Sequence, residues 1–157
     1  MKRVLIGAAR LLVSIAICQL AGAVGLAASR DTERYYAKLE KPSIAPPPAV
    51  FGPVWTVLYT MMGTAAFLVW RQKKADGAKA LKLFGAQLAL NAAWTPVFFG
   101  LKKPGLALIV IGALLPAIIA TIAAFWVVSI PAALLLVPYL LWVGFASVLN
   151  FELWRRN

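Results

Sequence analysis

A stripe of polar and aromatic side chains runs along one apolar segment of the sequence and could form one wall of a binding site. It consists of Gln87, Asn91, Trp94, Thr95 and Phe98, within QLALNAAWTPVFFG. On a helix these positions share one broad face, with Gln87 and Asn91 one turn apart. Because lipid offers no partner for an amide, that face must turn towards other helices or a cavity. The stripe therefore predicts either a ligand chamber inside a helical bundle or a polar contact between helices.

Two further apolar segments carry similar aromatic faces. Trp55 precedes Tyr59 by one helical turn, and Trp142 follows Tyr139 on a face that continues through Ala146. Together with the stripe, these faces would suit a planar, apolar ligand with polar edges. Aromatic core packing, with the amides bonded between helices, explains the same residues about equally well.

The elements that must position these faces are long apolar runs. Hydrophobic residues make up 62% of the 157-residue chain, against about 45–50% in soluble domains. The first run is predicted to be a retained helix, because it exceeds the about 7–15 apolar residues of a signal peptide. We therefore predict an all-α, multi-pass integral membrane protein, with one domain over residues 1–157 and a compact bundle of five transmembrane helices. The predicted spans are residues 4–28, 49–70, 80–101, 105–127 and 131–154.

Prolines mark the connections and the weak points of these helices. The longest connection, residues 29–48, is predicted to be a loop, which Pro42 and Pro46–Pro48 should keep extended and stiff. Pro96, Pro116 and Pro138 lie inside predicted spans, where each should kink or open its helix.

The basic residues that give the net charge of +11 lie mostly at the ends of the apolar runs, as at Arg71 and at Lys102–Lys103. Such placement is typical of side chains that anchor at lipid headgroups. Basic residues do not alternate with exposed aromatic residues, so the pattern predicts no nucleic-acid binding. Lys and Arg number eight on each side of the predicted bundle, so the charge rule leaves its orientation, and the identity of the membrane, open.

The absence of certain residue types excludes most catalytic chemistries. The chain has no histidine and one cysteine, Cys18. This excludes an internal disulfide, His-ligated zinc or haem, and a Ser-His-Asp triad. None of the five carboxylates lies in the middle of a predicted span, which argues against a proton relay. We predict no metal site and no required cofactor, and we assign no catalytic residue.

Three segments resemble the translocator protein family, also known as TspO/MBR, tryptophan-rich sensory proteins or peripheral-type benzodiazepine receptors. They are YYAKLEKPSIAPPPAVFGPVWTVLYTMMG, GAQLALNAAWTPVFFG and VPYLLWVGFASVLNFELWRRN. The resemblance implies a five-helix membrane bundle, often a homodimer, with a pocket capped by the first loop. Family members bind porphyrins and haem-like tetrapyrroles, and some bind cholesterol or synthetic isoquinolines and benzodiazepines.

The resemblance also implies which residues bind the ligand. Tryptophans matching Trp55 and Trp142 are linked to light-dependent porphyrin breakdown in some bacterial relatives, so these two are the catalytic candidates for such an activity. The implied pocket consists of Tyr36, Trp55, Tyr59, Asn91, Trp94, Phe98, Tyr139, Trp142 and Ala146.

Two positions depart from the family pattern. Ile44 replaces the tryptophan that usually precedes the paired prolines, which puts an aromatic lid contact in doubt. Phe151 replaces a tyrosine of the cholesterol-associated segment. Since such sterol motifs are weak even when intact, a sterol is expected to be a secondary ligand.

The leading prediction is a membrane tetrapyrrole sensor or regulator whose ligand is a porphyrin or haem. We expect burial of the macrocycle, stacking on Trp55 and Trp142, and contacts at Asn91 and Trp94, whereas Gln87 ties helices together. One alternative is a transporter of porphyrins or sterol-like lipids, disfavoured by the absence of a repeat and of intramembrane charge. Another is light-dependent porphyrin degradation. The expected partners are membrane lipid, the small-molecule ligand and a second copy of the chain.

Overall fold

Helices account for nearly all of the chain in a computed structural model, which describes residues 2–27, 32–72 and 74–157. Within these ranges no strand occurs. The elements are α1 (Lys2–Ala27), α2 (Thr32–Lys38), α3 (Pro48–Arg71), α4 (Ala75–Thr95), a π-helical turn (Pro96–Gly100), α5 (Pro104–Val128), α6 (Ile130–Leu135) and α7 (Val137–Arg156).

The prediction of an all-helical chain is confirmed, and four segments are long and apolar enough to cross a membrane. These are Val4–Ala27, Pro48–Arg71, Pro104–Val128 and Ile130–Arg156. The third predicted span instead forms α4 and the π-helical turn. It does not meet the same criterion of length and composition, because lysines near its start and the amides of Gln87 and Asn91 reduce its apolar character.

The long helices form a closed ring. Helix α1 packs against α3 and α4, α4 packs against α5, α5 packs against α6 and α7, and these two return to α3. Met62, Ile118 and Phe125 are fully buried at the centre of the ring. Large apolar side chains such as Leu5 and Ile109 point outwards and are exposed, as expected of a surface that faces lipid.

The segment 29–48 is not a loop throughout, since it contains α2, which the sequence analysis did not predict. Glu33 in the first turn and Lys38 in the last turn both complement the helix dipole. Its Tyr36 side chain is buried, so packing against the bundle stabilises a helix of only seven residues. The proline-rich part that follows contains a single turn, closed by the Ala45 N–H donating to the Pro42 carbonyl.

Two of the three prolines that were predicted to kink or open their helices coincide with a break in the α-helix. Pro96 begins the π-helical turn, in which the Leu101 N–H donates to the Pro96 carbonyl at 2.8 Å. The fifth predicted span breaks at Leu136, so that Pro138 lies in the first turn of α7. By contrast, α5 continues through Pro116 as one helix.

Candidate ligand cavity

A cavity of about 640 Å³ lies between α1, α3 and α4, and α2 contributes to its lining. Its volume is within the range of roughly 300–1,000 Å³ that is usual for small-molecule sites. Glu33 is the one charged side chain that lines it within the described ranges. Six of the lining residues are aromatic: Tyr36, Phe51, Trp55, Tyr59, Trp94 and Phe99.

Trp55 and Tyr59 form the wall contributed by α3. They lie one turn apart, and their rings stack with centroids 5.3 Å apart and planes 29° apart. The Trp55 ring also meets the edge of Tyr139, at 6.3 Å between centroids. Trp55 is only partly buried, so its indole is supported from behind and open to the cavity.

Behind this wall, four polar side chains form a hydrogen-bond chain across α3, α4 and α7. The Tyr59 hydroxyl donates to Asn91 Oδ1 at 2.6 Å, and Asn91 Nδ2 donates to the Tyr139 hydroxyl at 3.1 Å. The Tyr139 hydroxyl in turn donates to Gln87 Oε1 at 2.8 Å. All four side chains are at most 6% exposed. Since an unbonded buried amide or hydroxyl is costly, this chain fixes the rotation of three helices relative to one another.

Asn91 therefore positions the cavity wall without lining the cavity. Its oxygen accepts from Tyr59 and its nitrogen donates to Tyr139, and it is absent from the cavity lining. One polar group within this hydrogen-bond chain remains unsatisfied, because Gln87 Nε2 is buried without a hydrogen-bond partner among the described residues.

Trp94 forms the wall contributed by α4. Its indole N–H donates to Asn150 Oδ1 at 3.1 Å, and Asn150 Nδ2 donates to the Pro104 carbonyl at 2.9 Å. The Trp94 ring stacks on Phe98 with centroids 5.3 Å apart. Because α7 already accepts the indole N–H, Trp94 offers the cavity its ring and no polar group.

Close approach of α1 to α3 completes the cavity, and two glycines permit it. A Cβ atom at Gly22 would overlap the Tyr59 ring, and one at Gly63 would overlap the backbone of Ile15. Small residues allow such close helix crossings in membranes. Gly22 thus leaves room for the Tyr59 ring in the position from which its hydroxyl reaches Asn91.

The first connection contributes Tyr36. This side chain is 4% exposed, meets the edge of Phe51 with centroids 5.7 Å apart, and its hydroxyl donates to the Pro46 carbonyl at 3.4 Å. The ammonium group of Lys41 lies 5.1 Å from the ring centroid. Burial raises the pKa of Tyr36 above its ordinary value, so the phenol stays neutral at physiological pH.

The same connection is held to the end of α7. The Glu40 N–H donates to Asn157 Oδ1 at 2.9 Å, and Asn157 Nδ2 donates to the Glu40 carbonyl at 3.2 Å. These two bonds fix the backbone between α2 and the proline-rich part of the connection.

The structure brings four of the nine predicted site residues to the cavity: Tyr36, Trp55, Tyr59 and Trp94. The other five lie outside its lining. Asn91 and Tyr139 belong to the hydrogen-bond chain, and Phe98 supports Trp94. Trp142 packs against Phe51 and Phe145, and its buried N–H has no hydrogen-bond partner among the residues that the structure describes. Ala146 is buried in the core.

Sequence reasoning missed the contribution of α1. Gln19, Gly22, Ala23 and Leu26 all line the cavity. Gln19 Nε2 donates to the Thr56 carbonyl at 2.9 Å and to a neighbouring threonine hydroxyl. The sequence does contain a signal for this contribution. An amide inside an apolar run indicates an inward-facing position at Gln19, just as it does at Gln87.

The two departures from the family pattern both lie away from the cavity. Ile44 is 47% exposed and is not part of the lining. Phe151 is exposed as well and packs beside Trp154, with centroids 5.9 Å apart. The aromatic contact from the first connection is therefore made by Tyr36 in α2.

The fold and cavity define a class of protein, a helical membrane bundle with an internal aromatic cavity. The chain belongs to the TspO/MBR family, whose family model matches residues 14–155. It is 46% identical over 127 residues to the translocator protein of Homo sapiens, covering 79% of this chain and 75% of that protein. It is 44% identical over 155 residues to the tryptophan-rich protein TspO of Chlorobaculum tepidum, covering 93% and 97% of the two chains. The tryptophan-rich sensory protein of Cereibacter sphaeroides is 43% identical over 125 residues, covering 80% and 78%.

Proposed function

We propose that this membrane protein is a tetrapyrrole-binding sensor or regulator and that its aromatic cavity takes a porphyrin or haem macrocycle. The observation that carries the proposal is the cavity of about 640 Å³ lined by six aromatic side chains. Burial of a large apolar ring system supplies most of the affinity of such a site. Stacking on Trp55 and Trp94 adds orientation, since offset aromatic pairs are favourable beyond the area that they bury.

The residues present fit the macrocycle better than they fit an axial ligand to iron. The chain has no histidine, and the hydroxyls of Tyr36 and Tyr59 are already bonded to Pro46 and Asn91. Cys18 is buried outside the cavity lining. We therefore propose that metal-free and metal-containing porphyrins bind with similar affinity.

We also propose that α4 and the π-helical turn cross the membrane, giving five spans. The 21 residues of α4 and the five of the turn would be roughly 39 Å long at 1.5 Å per residue. Buried Gln87 and Asn91 face the bundle interior, where polar groups of a membrane helix belong. Lysines lie near both ends, with Lys79 and Lys82 in the first turns of α4 and Lys102 and Lys103 just after the π-helical turn.

The function is tested by titrating protoporphyrin IX and its zinc complex into the detergent-solubilised full-length protein. Binding is followed by the shift of the porphyrin Soret band. Trp55→Ala is expected to weaken binding by at least about two- to tenfold, the range that loss of one aromatic pair implies before its buried area is counted. Trp126→Ala is the matched control, because Trp126 is exposed and does not line the cavity. Equal affinities of the two variants would contradict the proposed site, and no saturable binding to the unaltered protein would contradict the function.

A further inference from the structure

A second concavity, of about 850 Å³, lies at the other ends of α1 and α3. It is an open groove whose lining includes Gly7 and Leu11 of α1 and Phe67 and Trp70 of α3. The aromatic cavity uses residues nearer the end of α1 and the start of α3, so the groove is a separate site.

Two arginines line this groove, and each lies over an aromatic ring. The Arg10 guanidinium is 5.1 Å from the Trp70 ring centroid, and that of Arg71 is 5.8 Å from the centroid of Phe67. A guanidinium over an aromatic face keeps its N–H edge available for bidentate bonding to an anion. Neither arginine has a carboxylate partner among the described residues.

The charge around the groove is also strongly positive. The sequence places eight Lys and Arg residues at this end of the predicted bundle and a single acid, Asp76. The remaining lining is apolar, and both helices belong to the candidate membrane spans. A soluble anion would gain nothing from the apolar wall, whereas a phospholipid would use both the charge and the wall.

We propose that this groove binds an anionic phospholipid. The headgroup phosphate bonds to Arg10 and Arg71, and an acyl chain packs along Leu11 and Phe67. Zwitterionic phospholipids have no net negative charge, so they bind the groove more weakly. At about fivefold per cation near the membrane surface, the two arginines give a preference of about 25-fold.

The test uses Trp70, which lies in the groove, as its reporter. The full-length protein is reconstituted in phosphatidylcholine vesicles that contain a minor fraction of brominated phosphatidylglycerol or of brominated phosphatidylcholine. Bromine quenches tryptophan only at contact, so brominated phosphatidylglycerol is expected to quench in excess. The excess should disappear in Trp70→Phe, which removes the reporter but keeps an aromatic ring. Equal quenching by the two lipids would overturn the proposal.

Matched variants distinguish specific binding in the groove from a general electrostatic attraction of anionic lipid to this end of the bundle. Arg10→Gln/Arg71→Gln should abolish the excess quenching, whereas Lys79→Gln/Lys82→Gln removes the same charge from the same end of the bundle and should preserve it. Equal loss in both double variants would show a diffuse electrostatic effect and would overturn the proposal, as would retention of the excess in the arginine variant.

A steric variant tests the groove without changing charge. A Cβ at Gly7 meets no atom within 4 Å, so Gly7→Ile should fold normally and fill the groove. It should reduce the excess quenching, whereas Gly112→Ile, in equally open space on α5, should not. An unaffected Gly7 variant would overturn the proposed acyl-chain contact.

Discussion

Replacing Asn91 with leucine tests whether this amide holds the cavity wall in place. The substitution removes two hydrogen bonds. The Tyr59 hydroxyl donates one to Asn91 Oδ1 at 2.6 Å, and Asn91 Nδ2 donates the other to the Tyr139 hydroxyl at 3.1 Å. The Tyr139 hydroxyl keeps its bond to Gln87, so only the Tyr59 hydroxyl is left buried without a partner.

The expected cost follows from this inventory. One orphaned buried hydroxyl costs about 1–3 kcal/mol, and one lost neutral bond about 1 kcal/mol. Interhelical hydrogen bonds in membranes average only about 0.6 kcal/mol, with a maximum of about 1.7. The cost of the orphaned hydroxyl should therefore lie in the lower part of the range of about 1–3 kcal/mol. We expect Asn91→Leu to lower the free energy of unfolding by about 1–2 kcal/mol.

The assay is reversible unfolding in mixed detergent micelles, followed by circular dichroism, on a double-mutant cycle with Tyr59→Phe. Removing the Tyr59 hydroxyl also removes the orphaned donor, so the double variant should be more stable than Asn91→Leu alone. Additive losses in the cycle, or a loss below about 0.5 kcal/mol for Asn91→Leu, would refute the reasoning.

Two further predictions concern helix packing and topology. Gly22→Ala should displace the Tyr59 ring and weaken protoporphyrin binding. The control Gly85→Ala, where a Cβ meets no atom within 4 Å, should leave binding unchanged. Equal affinity of the two variants would contradict the close contact between Gly22 and Tyr59. If α4 crosses the membrane, cysteines placed singly at Lys79 and Lys102 in a cysteine-free background should react with an impermeant maleimide from opposite sides of sealed vesicles. Labelling of both from one side would exclude the fifth span.

Helix bounds were predictable to within a few residues because long apolar runs leave a chain few alternatives. The breaks at Pro96 and before Pro138 followed from the missing proline N–H. Helix α2 was not predictable, because a short charged segment gains its stability only from the burial of Tyr36 against the rest of the protein.

The candidate site was predictable in composition but not in geometry. Gln87 and Asn91 were expected to face inwards, and they do. The hydrogen bonds of Asn91 to Tyr59 and Tyr139 depend on the order and rotation of α3, α4 and α7, which the pattern within each helix does not specify. For the same reason the sequence could not show that Trp55 lines the cavity while Trp142 packs behind Phe51.

An experimental structure of the full-length protein bound to protoporphyrin IX tests the central claim most directly. The macrocycle should occupy the space between Trp55 and Trp94, in contact with Tyr36 of α2 and with α1 at Gly22. Macrocycle density on the outer surface of the bundle, with this space unoccupied, would contradict the account.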